Sequence, residues 1–139
     1  MIELFENNNT SLDFTFPDVH PEIKLAIWFA RQLRIPDCVE KCHLPRDIGE
    51  FKLRLIDDFP KRVPESWRKR GGVIMPMYQA EAAWIGFLPT GMLRYPFAVK
   101  VAAGKINAVR GGPWRPALSR DPQETIWSRP CKAIWTVTA

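Results

Sequence analysis

Six polar side chains embedded in two otherwise apolar stretches are the residues of this chain best suited to chemistry. They are Tyr78, Gln79 and Glu81 within residues 77–87, and Lys100, Lys105 and Asn107 within residues 97–109. Polar groups surrounded by apolar neighbours must be hydrogen-bonded, paired or solvated. Glu81 with Lys100 or Lys105 would form a partly buried ion pair on adjacent strands. The functional use of such a cluster is the lining of a small-molecule pocket, with Glu81 as acid or base and a lysine binding an anion. The plainer use is a satisfied polar network, or the solvent face of a sheet.

A second constellation is Cys38-x-x-x-Cys42-His43. Thiolates and imidazole are good zinc ligands, but this run supplies no fourth ligand, and His20 and Cys131 lie far away in sequence. Incidental loop cysteines are the expectation, with no metal and no cofactor. Neither glycine pair, Gly71-Gly72 or Gly111-Gly112, has the spacing of a phosphate or dinucleotide loop, and no serine nucleophile elbow occurs. His20 and His43 both lie near prolines and read as surface or turn residues.

Composition bounds the partners. Hydrophobic residues make up 46% of the 139 residues, enough for the core of one domain. The three cysteines are an odd number that does not make a disulfide framework, and the acidic N-terminus lacks the pattern of a secretory signal, so a cytoplasmic protein is expected. No run approaches the roughly 18–20 apolar residues that cross a bilayer. The net charge of +5 is concentrated only at Arg68-Lys69-Arg70, without a nucleic-acid-binding module beside it. A small molecule or a protein is therefore the expected partner, rather than nucleic acid or membrane.

The elements that must position these side chains are short. Thirteen prolines against eight glycines interrupt the chain throughout, which disfavours long helices. Residues 12–16 alternate apolar and polar as a strand. Residues 23–35 fit both periods, and the strand is preferred for 29–35, where Leu33 and Ile35 flank Arg34. Phe51, Leu53 and Leu55 mark the clearest strand, over 51–55. Residues 64–70 form one or two helical turns, with proline at the start, an early acid, late bases and Gly71-Gly72 as the stop. Residues 77–87 read as a strand with Met77, Ile85 and Phe87 on one face, against a competing helix over 78–84, and 88–91 as a loop. A strand over 97–103 leads into 106–109 and the turn at Gly111-Gly112-Pro113. The fold class is a β-rich α+β arrangement of short antiparallel strands with one or two short helices, preceded by a mobile leader over 1–10.

Several of these runs occur together in a known pattern. Residues 71–84, reading GGVIMPMYQAEAAW, and 95–109, reading YPFAVKVAAGKINAV, resemble the hallmark of an uncharacterised family of bacterial and fungal proteins. Residues 33–37 and 62–67 are similar to it too, so the resemblance runs from about Phe29 to Gln123. It implies no activity. In that family the text after Asp121-Pro122-Gln123 continues with Asp-Tyr, a few apolar residues, Pro, Gln and Leu-Asp-Gly, followed by a further C-terminal portion. Here residues 124–139 read differently. Read from the third base of the Glu124 codon, however, the allowed triplets include Asp, Tyr, Met, Val, Ala and Pro, then Gln, Gly, Asn, Leu, Asp and Gly, in that order.

The resemblance thus implies an incomplete domain over 11–123 and a frameshifted tail over 124–139. Trp127, Cys131, Ile134, Trp135 and Val137 would then be loosely held, and open sheet edges would invite self-association. Three functional readings follow. One is a non-enzymatic β-rich binding or structural domain, another an enzyme of unknown reaction using Glu81 with Lys100 or Lys105. The third is a truncated copy with no function of its own.

Overall fold

Alternating sequence builds the strands, and pairing between distant segments assembles them. The computed structural model describes residues 2–4, 9–35, 45–90, 95–118, 126–128 and 133–137, with side chains for all of these but 2–4, 126–128 and 133–137. In chain order the elements are β1 (Ile2–Leu4), β2 (Ser11–Thr15), β3 (Lys24–Leu33), β4 (Arg54–Leu55), a 3₁₀ turn (Ile56–Asp58), α1 (Glu65–Arg70), β5 (Val73–Ile74), β6 (Glu81–Thr90), β7 (Phe97–Val99), β8 (Ala102–Ala103), β9 (Ile106–Asn107), β10 (Ile126–Ser128) and β11 (Ala133–Val137). The protein is a β-rich α+β fold of short antiparallel strands, with one short α-helix among the described residues.

Five strands form the main sheet, in the order β1-β2-β3-β6-β11, with every neighbouring pair antiparallel. Its centre is the β3–β6 pair, matched in full from Lys24 opposite Thr90 to Leu33 opposite Glu81. Because side chains alternate across a strand, this register puts Leu25, Ile27, Phe29 and Arg31 on one face with Phe87, Ile85, Ala83 and Glu81. Leu25 and Phe87 lie at the heart of that face, and Phe14, Phe16, Ile27, Ile85, Phe97 and Val99 pack around them. Phe16 and Phe97 meet with ring centroids 5.5 Å apart, tying the end of β2 to β7. The opposite face carries Trp28, Ala30 and Gln32 against Gly86, Trp84 and Ala82.

Several sequence expectations need correction, each for a tertiary reason. The ambiguous 23–35 segment is strand from Lys24 and stops at Leu33, because β6 flanks one side along its whole length while β2 and then residues 48–51 satisfy its backbone on the other. Within 77–87 the strand begins only at Glu81, since the Glu81 N–H donates to the Tyr78 carbonyl at 3.0 Å and closes a turn. The strand then runs through the expected 88–91 loop as far as Thr90, Pro89 included. Proline is tolerated there because β11 spans only Ala83 to Phe87 of its neighbour, so on that edge no ladder needs the missing N–H.

The 51–55 stretch is extended but is a strand only at Arg54–Leu55, which pairs with Val73–Ile74. Its partner changes along its length. Glu50 bridges to Ala30 where β2 has ended, the Phe51 N–H donates to the Phe29 carbonyl, and the Leu53 N–H donates to the Asn9 carbonyl. The alternation still holds for burial, with Phe51 and Leu53 fully enclosed, while Leu55 is exposed. The expected 97–103 strand likewise divides into β7, paired with β10, and β8, paired with β9. Gly104 and Lys105 turn the β8–β9 hairpin with φ of 55° and 70°, the left-handed pair that suits a two-residue connection.

The helical expectation for 64–70 matches α1, with Pro64 before the first turn, Glu65 within it and Arg68, Lys69 and Arg70 in the last. Residues 2–4 of the expected leader pair as β1 with residues 12–14 of β2. Residues 126–128 and 133–137, in the expected tail, supply β10 and β11. No helix among the described residues is long and apolar enough to cross a membrane.

Candidate functional site

Glu81 opens β6 and lies on the sheet face shared with Arg31, two pairs further along the β3–β6 ladder. An arginine in the alternating series Ile27, Phe29, Arg31 falls on an otherwise apolar face, and a counter-ion is the physical remedy. Glu81 provides it. Its Oε1 accepts from both Nε and Nη2 of Arg31, the former at 3.1 Å, while its Oε2 accepts the Tyr78 backbone N–H at 3.1 Å. The Glu81 side chain is 7% exposed against 34% for Arg31, and the guanidinium also sits 5.6 Å from the ring centroid of buried Phe51.

These contacts set the protonation state of Glu81. The Arg31 hydrogen bonds, reinforced by the Tyr78 N–H and by the Arg31 charge, hold its carboxyl below the ordinary glutamate value of 4.5, against an opposing push from desolvation. A group depressed in the folded state stabilises the fold above its unfolded pKa and loses that contribution as pH falls through the folded one. The melting temperature of the native protein is therefore expected to exceed that of Glu81→Gln at neutral pH, with the gap closing below about pH 4.5. Paired thermal melts from pH 7 to pH 3 check this; a gap that persists or widens in acid would contradict it.

The lysines expected beside Glu81 are engaged elsewhere. Lys100 Nζ donates to the Arg115 and Ala117 carbonyls at 2.5 and 2.6 Å and lies 5.2 Å from the Trp114 ring centroid, so it fastens the 114–117 segment. Lys105 occupies the left-handed hairpin turn and is exposed. Tyr78 is 76% exposed and contributes its backbone to the Glu81 turn, and Gln79 is exposed beside it. The expected Glu81–lysine pair is thus replaced by a Glu81–Arg31 pair. Sequence reading passed over Arg31, although its place on the apolar face of the strand pattern was the available signal.

Asn107 is a structural residue of another kind. It is 1% exposed, and its Oδ1 accepts the Val109 and Arg110 N–H groups at 2.9 and 3.1 Å. Its own N–H donates to the Gly112 carbonyl and its carbonyl accepts from Gly111. This is the side-chain mimicry of a turn that asparagine performs well. Asn107→Ala is expected to cost about 1–2 kcal/mol, because two amides lose their acceptor, measurable as a lower urea midpoint with unchanged slope.

Of the remaining polar candidates, His20 accepts the Glu22 N–H through Nδ1 and faces Tyr95. Cys38, Cys42, His43 and Cys131 lie outside the described residues. Among the described residues no group of His, Cys, Asp and Glu is arranged to hold a metal. Compared with protein-family models, curated proteins and solved structures, the chain matches none. What the site can do therefore rests on its own geometry. The carboxylate is ionised, both its oxygens are occupied by donors from this chain, and it joins the end of β3 to the start of β6.

Proposed function

We propose that this chain acts as a non-enzymatic binding or structural β domain. The observation that carries the reading is that donors of this chain engage both carboxylate oxygens of Glu81. A general acid must hold a proton near neutral pH, and a general base must have a free lone pair directed at substrate. Arg31 and the Tyr78 amide work against both requirements. The anion-binding role considered for a lysine loses support in the same way at Lys100, whose ammonium is committed to two backbone carbonyls. The polar residues of the hallmark then serve to hold turns and strand ends, leaving the surface to do the binding.

A metabolite thermal-shift screen on the full chain, followed by mass spectrometry of each stabilising compound, tests this. Specific ligands raise the melting temperature by mass action, and the expected result is stabilisation with the compound recovered unchanged. Recovery of a converted product, formed by the native chain and lost in Glu81→Gln, would overturn the reading in favour of an enzyme.

A further inference from the structure

The hairpin that returns from α1 into β5 encloses a groove of about 380 Å³. Gly71 makes the return possible: its φ of 66° lies in the left-handed region, and its N–H closes on the Trp67 carbonyl at 2.9 Å. The 3₁₀ turn is drawn against the same hairpin by the Ile56 N–H, which donates to the Gly72 carbonyl at 3.1 Å. Ile56, Val73, Ile74 and Met75 line the groove, with Trp67 from α1 and Arg70 beside it. Trp67 is 47% exposed.

Two features suit this groove to a small ligand. Its volume equals that of roughly a dozen liquid waters and falls within the range of small-molecule sites. Its cation is unclaimed: Lys69 of the same helix pairs with Glu65 at 2.9 Å, whereas the exposed Arg70 guanidinium makes no ion pair or hydrogen bond with the described residues. A planar guanidinium at the edge of an apolar, aromatic-walled groove matches a carboxylate on an apolar body, by bidentate hydrogen bonding at one end and apolar contact at the other. A peptide would demand a longer track than a groove built within residues 56–75.

We infer that the α1–β5 groove binds a small apolar carboxylic acid, its carboxylate on Arg70 and its body against Trp67, Ile74 and Met75. The inference rests on the binding-domain reading and gives it a site and a ligand class. Trp67 and Arg70 then serve recognition, which gives a role to an exposed tryptophan beside a guanidinium that pairs with none of the described residues.

The test uses the full chain, labelled for nitrogen and methionine-methyl NMR, titrated with cinnamate and with cinnamamide as its uncharged counterpart. Cinnamate is expected to shift the Trp67 indole and Met75 methyl signals saturably, and the amide to bind roughly tenfold or more weakly, since a charge-assisted hydrogen bond is lost. Arg70→Gln is expected to reduce cinnamate to the affinity of the amide. Arg68→Gln, which alters an exposed charge outside the groove lining, should change it by no more than about twofold. Equal affinity for acid and amide, an unaffected Arg70→Gln, or shifts confined to other residues would overturn the inference. Concentration-dependent shifts of the same signals without any acid would also overturn it, by assigning the groove to a second copy of the chain. A thermal-shift ligand acting elsewhere while cinnamate fails here would sink the groove and leave the binding-domain reading standing. Cinnamate bound at the groove but recovered chemically altered would do the reverse.

Discussion

Phe87→Ala is expected to destabilise the protein by about 3–5 kcal/mol, the usual cost of emptying a buried aromatic position. Phe87 is 1% exposed and sits midway along the central strand, opposite Ile27 on β3 and Ala133 on β11. The cluster it forms with Leu25 is packed by side chains from β2, β3 and β7, so no single neighbour can move in to fill the space. A domain of this size is commonly stable by only about 5–15 kcal/mol, so most of the margin would go. Urea unfolding followed by circular dichroism measures the loss. Phe87→Leu, which keeps most of the volume, should retain a cooperative transition even if the alanine variant does not fold. Tyr78→Ala is the matched control: that ring is 76% exposed, and its removal should change stability by less than about 0.5 kcal/mol. Equal effects at the two positions would contradict the assigned core.

Gly86→Ala is expected to cost about 2–3 kcal/mol through overpacking, although alanine is a minor change in chemistry. Gly86 lies directly opposite Trp28, whose indole covers it, and a Cβ there would come within 2.1 Å of Cε2 and Cζ2 of that ring. The backbone at Gly86 is ordinary strand, so the obstacle is the ring and not φ. A test follows from this distinction. If Trp28 is the obstacle, Gly86→Ala should be nearly harmless in a Trp28→Ala background, and the double variant should be more stable than the sum of the single losses. Strict additivity by thermal or urea melts would show that the ring is not responsible. The same contact explains why a glycine, usually a weakness inside a strand, occupies the middle of the longest ladder.

Glu81 and the 51–55 segment illustrate different limits of the sequence pattern. Glu81 stands out as a polar residue in an apolar run, and the sequence pairs it with the lysines some twenty positions downstream, on adjacent strands. The actual partner, Arg31, comes from fifty positions upstream, through the β3–β6 ladder. The spacing of residues along a strand carries its face but not the identity of the strand beside it. Likewise the 51–55 alternation correctly put Phe51 and Leu53 inside, yet could not show that the segment changes partner along its length and is therefore mostly not ladder. Pro89 marked a loop by every local rule and lies in a strand because β11 stops short of it.

What the amino-acid sequence determined by itself was local. Period-two patterns and frequent prolines dictated short strands, proline followed by an acid and then bases dictated α1, and Gly71-Gly72 dictated where that helix stops. These depend on neighbours a few residues apart, where sterics and side-chain alternation act directly. The tertiary structure alone decided which strands lie together, that Arg31 neutralises Glu81, that Trp28 occupies the space a side chain at Gly86 would need, and that a groove opens between α1 and β5. Each of these depends on contacts between distant segments, whose geometry is selected by burial and hydrogen bonding summed over the whole sheet.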